Sequence, residues 1–175
     1  MCHWFVQKKS DFQSIGIHAV DVISEDILSD ELAYGLIEYQ GKIALSPFRF
    51  GLPSFDGKMI LNARVETVDE KKMFSQAYRF HKAVFPCSLY HERTSSGLSY
   101  SLSSSSLIYL AGFVDKDRFV LLTGEPVPSL PIRLKRMPIM LKQDEIRPYL
   151  KGELSKEALV EDKQILLRAI LDPSR

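Results

Sequence analysis

The sequence predicts an α+β fold with a largely antiparallel β-sheet. Segments with the alternating pattern of strands are interspersed with segments of helical periodicity, and the two do not alternate regularly as in βαβ folds. The chain has 175 residues, of which 45% are hydrophobic. A chain of this length buries about 70% of the surface that its unfolded state exposes. We therefore expect residues 1–175 to form one domain.

The elements of the N-terminal half follow from these patterns. Residues 15–23 contain alternating apolar side chains and predict a strand. A helix is expected over Ser24–Ile37, with the serine as its N-cap. Residues 42–52 predict another strand. The capping box at residues 67–70 predicts a second helix, in which apolar residues recur at helical spacing.

The C-terminal half predicts a hairpin followed by helices. Residues 98–114 are rich in β-forming side chains, and residues 119–122 form a second apolar run after the turn sequence DKDR. Helical patterns begin at Asp144 and Ser155. We expect the second of them to form a C-terminal helix over residues 155–171.

Composition argues against several function classes. Two cysteines do not make a disulfide framework, and the N-terminus lacks the features of a signal peptide. No apolar run approaches the roughly 20 residues that a membrane span needs. We therefore expect a cytoplasmic protein. The sequence has no GxGxxG, Walker or CxxC pattern, so it predicts neither a cofactor nor a metal.

Charge is unevenly distributed along the chain, although the net charge is only +1. Residues 49–142 carry 14 Lys and Arg against 8 Asp and Glu. Such an excess is either the electrostatic footprint of a phosphate backbone or an ordinary solvated surface.

The second residue is a cysteine. If Met1 is removed, Cys2 presents a free amine and a free thiol, an aminothiol that captures aldehydes. The amine forms an imine, and the thiol closes a thiazolidine ring in an intramolecular step favoured by effective molarities on the order of 10⁵ M. Both groups keep a nucleophilic fraction near neutrality. By its position alone, however, Cys2 is more simply interpreted as a small residue behind the start codon.

Several short motifs follow Cys2 in order. They are FGLP at 50–53, NARVET at 62–67, PCSLYHE at 86–92, Thr123 after an apolar strand, and RMP at 136–138. In order and spacing they resemble the SRAP family, the SOS response-associated peptidases or abasic-site processing proteins. The resemblance covers about residues 1–150 and implies a curved, barrel-like sheet with peripheral helices.

The resemblance also implies a set of site residues. Cys2 is the nucleophile that attacks the aldehyde of an abasic site in single-stranded DNA, Glu92 is the acid/base, and Asn62 lies beside the cysteine. The partner is thus abasic single-stranded DNA, and we expect a monomer that associates with the nucleoid in a bacterium. Strand alternation places Glu92 and Tyr90 on one face and His91 on the other. The positions that match DNA-binding elements are Arg64 for phosphate, Trp4, Phe50, Pro53, Thr123 and Arg136.

The chain departs from the family pattern at two positions. Leu134 stands where the family usually has a histidine, and leucine cannot transfer a proton. Either Arg133 alters the chemistry, or His3 or His91 approaches the site, or the protein crosslinks without efficient release. Trp4 replaces an arginine of the usual MCGR start, and an aromatic ring there suits stacking on a base, worth about 1–3 kcal/mol.

Three functions are therefore open. The leading hypothesis is an abasic-site protein that crosslinks to DNA through Cys2 and removes its own Met1. The second is a thiol peptidase that acts on other proteins, with a histidine as base. The third is a DNA-binding module without turnover.

Overall fold

The structure is a computed structural model that describes residues 3–18, 21 and 25–172. Its strands are β1 (Trp4–Val6), β2 (Asp26–Ile27), β3 (Leu32–Tyr39), β4 (Lys42–Phe50), β5 (Leu52–Pro53), β6 (Met59–Ile60), β7 (Asn62–Arg64), β8 (Lys82–Arg93), β9 (Ser99–Asp115), β10 (Arg118–Gly124), β11 (Met137–Pro138), β12 (Met140–Leu141) and β13 (Arg168–Leu171). Its helices are α1 (Lys9–Ser14), α2 (Lys72–Phe80), α3 (Ile146–Leu150) and α4 (Lys156–Val160), with a 3₁₀ turn at Gln143–Glu145.

One sheet of 11 strands forms the body of the protein, in the order β12-β9-β10-β4-β3-β8-β1-β2. Strands β7 and β11 also pair with β10, and β13 pairs with β9. Because the long strand β9 pairs with β8 as well as with β10, the sheet curls back on itself. Most pairs are antiparallel, whereas β10 runs parallel to β4 and β7. The predicted α+β class and curved, barrel-like sheet are confirmed.

Both faces of the curled sheet are buried. Along β10, Phe119 and Leu121 point to the inner side and Val120 and Leu122 to the outer side, as the pleat requires. The inner core is rich in stacked rings, and the Phe50 and Phe119 centroids lie 4.8 Å apart with planes at 13°. The outer core packs the sheet against α2, α3 and α4. The strands between the two cores therefore carry apolar residues in succession.

This double burial explains an error of the sequence analysis. The helix predicted over Ser24–Ile37 is wrong, because β2 and β3 occupy most of it. Leu36 packs in the outer core and Ala33 in the inner core, so the spacing of apolar residues in β3 imitates a helix. Residues 15–18 do not form the strand predicted over 15–23. Residues 19, 20, 22 and 23 of that strand, and the predicted N-cap Ser24, lie outside the described residues.

The predicted C-terminal helix over 155–171 is also wrong beyond its first turns. Ser155 caps α4 as expected, since its Oγ accepts a hydrogen bond of 3.1 Å from the amide of Ala158. The chain then turns at Asp162, whose carboxylate accepts hydrogen bonds from the amides of Ser129 and Gln164 at 3.0 Å each. Residues 168–171 continue as β13 along the edge of β9.

The remaining elements agree better with the sequence. The strand expected over 42–52 corresponds to β4 and β5, and the hairpin over 98–122 corresponds to β9 and β10. The predicted helix after residues 67–70 exists but begins at Lys72, because a turn precedes it. Among the described residues, no helix has the length and apolar character needed to cross a membrane.

Candidate functional site

The N-terminal strand β1 lies against β8, with Trp4 opposite His91 and Phe5 opposite Tyr90. Gln7, which directly follows β1, is buried and makes three hydrogen bonds through its side chain. Its Nε2 donates to the carbonyls of Tyr34 at 2.8 Å and Pro86 at 2.9 Å, and its Oε1 accepts from the amide of Tyr34 at 2.8 Å. The strand that leads to the N-terminus is therefore held in one register. Cys2, the predicted nucleophile, lies outside the described residues.

Glu92 is a buried carboxyl on β8, the strand that pairs with β1. It lies on β8 opposite Tyr100 of β9, and only 2% of it is exposed. Burial disfavours the carboxylate and raises the pKa of Glu92 to about 7. Near neutral pH both the acid and the carboxylate are then populated. Such a group can donate a proton in one step and accept one in the next.

Glu92 lines a cavity of about 280 Å³ at the end of β8. We call it the acid-base cavity; its other lining residues are His3, Trp4, His91, Arg93, Ser99 and Asp172. Tyr90 is fully buried in the inner core. His91 and Glu92 share the cavity although they are neighbours in the strand.

The ring of His91 is held on two sides. Its Nδ1 lies 3.1 Å from the Oγ of Ser101 on β9, and the indole of Trp4 stacks on it with the planes at 13°. Only 9% of His91 is exposed. Trp4, which the sequence suggested as a platform for a base, thus has one face covered by a histidine.

A second group of predicted residues gathers at the end of β10. Asn62 lies opposite Leu121 and Arg64 opposite Thr123, because β7 runs parallel to β10. Arg64 is exposed, whereas Asn62 is half-buried. Thr123 is fully buried, and its carbonyl accepts a 2.9 Å hydrogen bond from the amide of Val65. The NARVET segment is thus fixed to the sheet by backbone pairing.

Arg136 completes this group, which we call the arginine corner (Arg64, Glu66, Thr123 and Arg136). Its guanidinium donates to both carboxylate oxygens of Glu66, at 2.9 and 2.7 Å, and to the Thr123 carbonyl at 2.8 Å. Partial burial raises the pKa of Glu66, but the hydrogen bond and charge of Arg136, a backbone hydrogen bond and the charge of Arg64 together outweigh it, so the net shift is downward. Arg136 therefore holds the corner together, and Arg64 presents its charge to solvent.

Other predicted positions lie elsewhere. Phe50 is fully buried, and its ring meets the Phe5 ring edge-on with the two centroids 5.6 Å apart. It therefore supports β1 from inside the sheet. Pro53 is exposed on the separate β5–β6 ribbon. Leu134 packs against the inner core, with exposed Arg133 before it, so an apolar environment surrounds the position where the resemblance implies a histidine.

The sequence analysis missed two residues that shape the site. Gln7 and Ser101 orient β1 and His91 respectively, but no local pattern distinguishes a buried glutamine or a strand serine from a solvated one. Within the described part of the chain, no group of three or more His, Cys, Asp and Glu side chains is arranged to hold a metal ion.

Comparison with known proteins identifies the fold and its family. The model of the SRAP family, described as SOS response associated peptidase, matches residues 15–171. A crystal structure of a protein from Bordetella bronchiseptica is similar to this chain with a TM-score of 0.78 at 15% identity, covering 98% of this chain and 99% of that one. A protein from Bacteroides thetaiotaomicron is similar with a TM-score of 0.69 at 18% identity, covering 99% and 93%. None of the curated proteins matches the sequence.

Proposed function

Since this chain belongs to the SRAP family and is therefore a DNA-damage-associated protein, we propose that it binds abasic sites in single-stranded DNA and crosslinks to them through Cys2. The observation that carries this proposal is the acid-base cavity. A buried carboxyl with a pKa of about 7 lies at the end of the strand that pairs with β1. The protein acts as a monomer and needs no cofactor for this reaction.

The reaction needs proton transfers at each step. The amine of Cys2 adds to the aldehyde carbon, and the resulting carbinolamine loses its hydroxyl as water to leave an imine. The thiol sulfur then adds to the imine carbon, and the thiol proton is transferred to the imine nitrogen, which ends as a neutral ring amine. The sum is one thiazolidine and one water. Glu92 is suited to protonate the departing hydroxyl, because a large fraction of it is protonated at neutral pH.

Recognition of DNA is assigned to the arginine corner and its surroundings. Arg64 is exposed on β7, and a guanidinium can bind a phosphate through two parallel hydrogen bonds. Arg133 and Lys135 are exposed in the segment that leads to Arg136. These contacts position the strand without reading sequence. Asn62, on the same strand as Arg64, is proposed to contact the reacting groups through its amide.

The buried residues of the family motifs support the site from beneath. Phe50 and Thr123 are fully buried, and direct contact of their side chains with DNA is not part of the proposal. Leu134 lies against the inner core and supplies no proton. We therefore expect release of the crosslink to be slow, with Glu92 carrying more of the proton transfer.

The test is incubation with abasic single-stranded DNA, followed by a denaturing gel and intact-mass analysis. We expect a heat-stable adduct with abasic DNA, none with undamaged DNA, and none with Cys2→Ala. Mass analysis of the unreacted protein should show a chain that begins at Cys2. An adduct formed by protein that retains Met1 would contradict the N-terminal mechanism.

The same experiment separates the other functions. A DNA-binding module without turnover binds the strand but forms no adduct. A thiol peptidase forms no adduct either and cleaves other proteins in a Cys2-dependent manner. Removal of Met1 by the protein itself is tested by purification of Cys2→Ala, which should retain Met1 if the thiol performs that step.

A further inference from the structure

The acid-base cavity contains two imidazoles in different surroundings. His91 is 9% exposed, is bonded to Ser101 and lies under the indole of Trp4. His3 lines the same cavity but is exposed. An acid or base must exchange its proton with reactant and solvent in every cycle. Because Ser101 holds the ring of His91 and Trp4 covers one face of it, whereas His3 is exposed, His3 has the more direct access to reactant and solvent.

The surroundings of His3 and Glu92 shift their protonation in opposite directions. Partial desolvation lowers the pKa of His3, and the positive charge of Arg93 lowers it further. Burial raises the pKa of Glu92 to about 7. The other ionisable groups that line the cavity are His91 and Asp172. Near neutral pH the neutral imidazole and the protonated carboxyl are both well populated, so the cavity holds a base and an acid at once.

We propose that His3 is the base that takes the thiol proton of Cys2 during ring closure, with Glu92 as the acid of the preceding dehydration. This inference rests on the proposed function and names a further residue for it. The chain supplies this base directly after the nucleophile. Position 134, within the apolar surroundings of the inner core, has no such role.

The proton transfers balance over one reaction cycle. Glu92 gives its proton to the hydroxyl of the carbinolamine, which leaves as water, and an iminium ion remains. His3 takes the thiol proton, and the sulfur adds to the iminium carbon, so the carbon–sulfur bond forms and the ring nitrogen becomes neutral. The proton on His3 then returns to Glu92. No oxidant, reductant or metal takes part.

Chemical rescue tests this assignment. His3→Gly removes the imidazole, and we expect crosslinking of abasic single-stranded DNA to slow by about 10²-fold or more. Added imidazole should restore much of that rate. His18→Gly is the matched control, because His18 is exposed and does not line the cavity. It should crosslink like the wild type, and imidazole should not accelerate either protein. Intact mass must show that each protein begins at Cys2.

Each outcome decides the proposal. Loss of rate in His3→Gly with recovery by imidazole supports it. An unchanged rate, or a loss that imidazole does not restore, overturns it. If imidazole restores the crosslinking rate of His91→Gly but not that of His3→Gly, the base is His91 and the proposal is overturned. If the wild type itself forms no adduct, the proposed function fails; if the wild type forms one and His3→Gly does so equally fast, only this inference fails.

Discussion

The acid-base cavity and the arginine corner shift the pKa of a glutamate in opposite directions. Glu92 is enclosed by protein, and desolvation raises its pKa to about 7. Glu66 lies beside Arg136, whose hydrogen bonds lower its pKa in spite of partial burial. A carboxyl that must move protons gains from the first environment, whereas a carboxyl that must hold a structure gains from the second.

The two environments also have opposite consequences for stability. Because the pKa of Glu92 is raised in the folded state, its neutral form favours folding below the unfolded pKa near 4.5, and this contribution is lost as pH rises through about 7. Because the pKa of Glu66 is lowered, its contribution is present above 4.5 and is lost as pH falls through the folded value. The buried Glu92 of the acid-base cavity thus costs stability at neutral pH, whereas Glu66 of the arginine corner contributes to it.

The largest expected effect is on the chemistry of the cavity. Glu92→Gln keeps the shape of the side chain but cannot release a proton, so adduct formation should slow by about 10²- to 10⁴-fold. Noncovalent binding to abasic DNA by Cys2→Ala should not change when Glu92→Gln is added. Single-turnover time courses on denaturing gels measure the rate. An unaltered rate would show that another group carries the proton.

The same substitution should stabilise the folded protein at alkaline pH. Gln remains neutral, so Glu92→Gln should gain up to about 3 kcal/mol in unfolding free energy, relative to wild type, between about pH 4 and pH 8. Urea titrations at both pH values measure this change. The comparison between pH values cancels any fixed loss of contacts at position 92. No change between them would mean that the Glu92 carboxyl is not desolvated.

Removal of the Arg136 guanidinium should destabilise the fold without changing the rate of crosslinking. Arg136→Met removes charge-assisted hydrogen bonds to Glu66 and Thr123, and we expect a loss of about 2 kcal/mol in unfolding free energy at neutral pH. Arg133→Met is the matched control, since Arg133 is exposed and should cost little. At saturating abasic DNA, the crosslinking rate of folded Arg136→Met should match that of the wild type. A large fall in that rate would assign Arg136 to the reaction.

The smallest expected effect concerns the exposed charge of Arg64. Loss of one phosphate contact on a single strand should reduce the salt dependence of binding by about 0.7 in the slope of log affinity against log salt. Arg64→Gln should show this reduction and a weaker affinity at low salt, while Arg64→Glu should weaken binding further. Fluorescence anisotropy with Cys2→Ala across a salt series measures both. An unchanged slope would place the DNA groove elsewhere.

Local sequence patterns predicted an element correctly where a single short-range rule determines its structure. The hairpin of β9 and β10 and the cap of α4 at Ser155 were predicted because turn chemistry and capping act within a few residues. The helix predicted over Ser24–Ile37 failed because β3 is buried on both faces, so its apolar residues lose the alternation that marks a strand. Residues 168–171 form a strand because the edge of β9 offers them a partner, which no local rule can foresee.

By itself the sequence determined the α+β class and the family, and it named the residues of the candidate site, since these depend on composition, order and motif spacing. Only the tertiary structure decided the surroundings of those residues. It buried Glu92 and paired Glu66 with Arg136, two glutamates that look alike in the sequence. It also stacked Trp4 on His91 and tied β1 to β3 and β8 through Gln7. Desolvation, pairing and stacking depend on neighbours distant along the chain, and only folding brings those neighbours together.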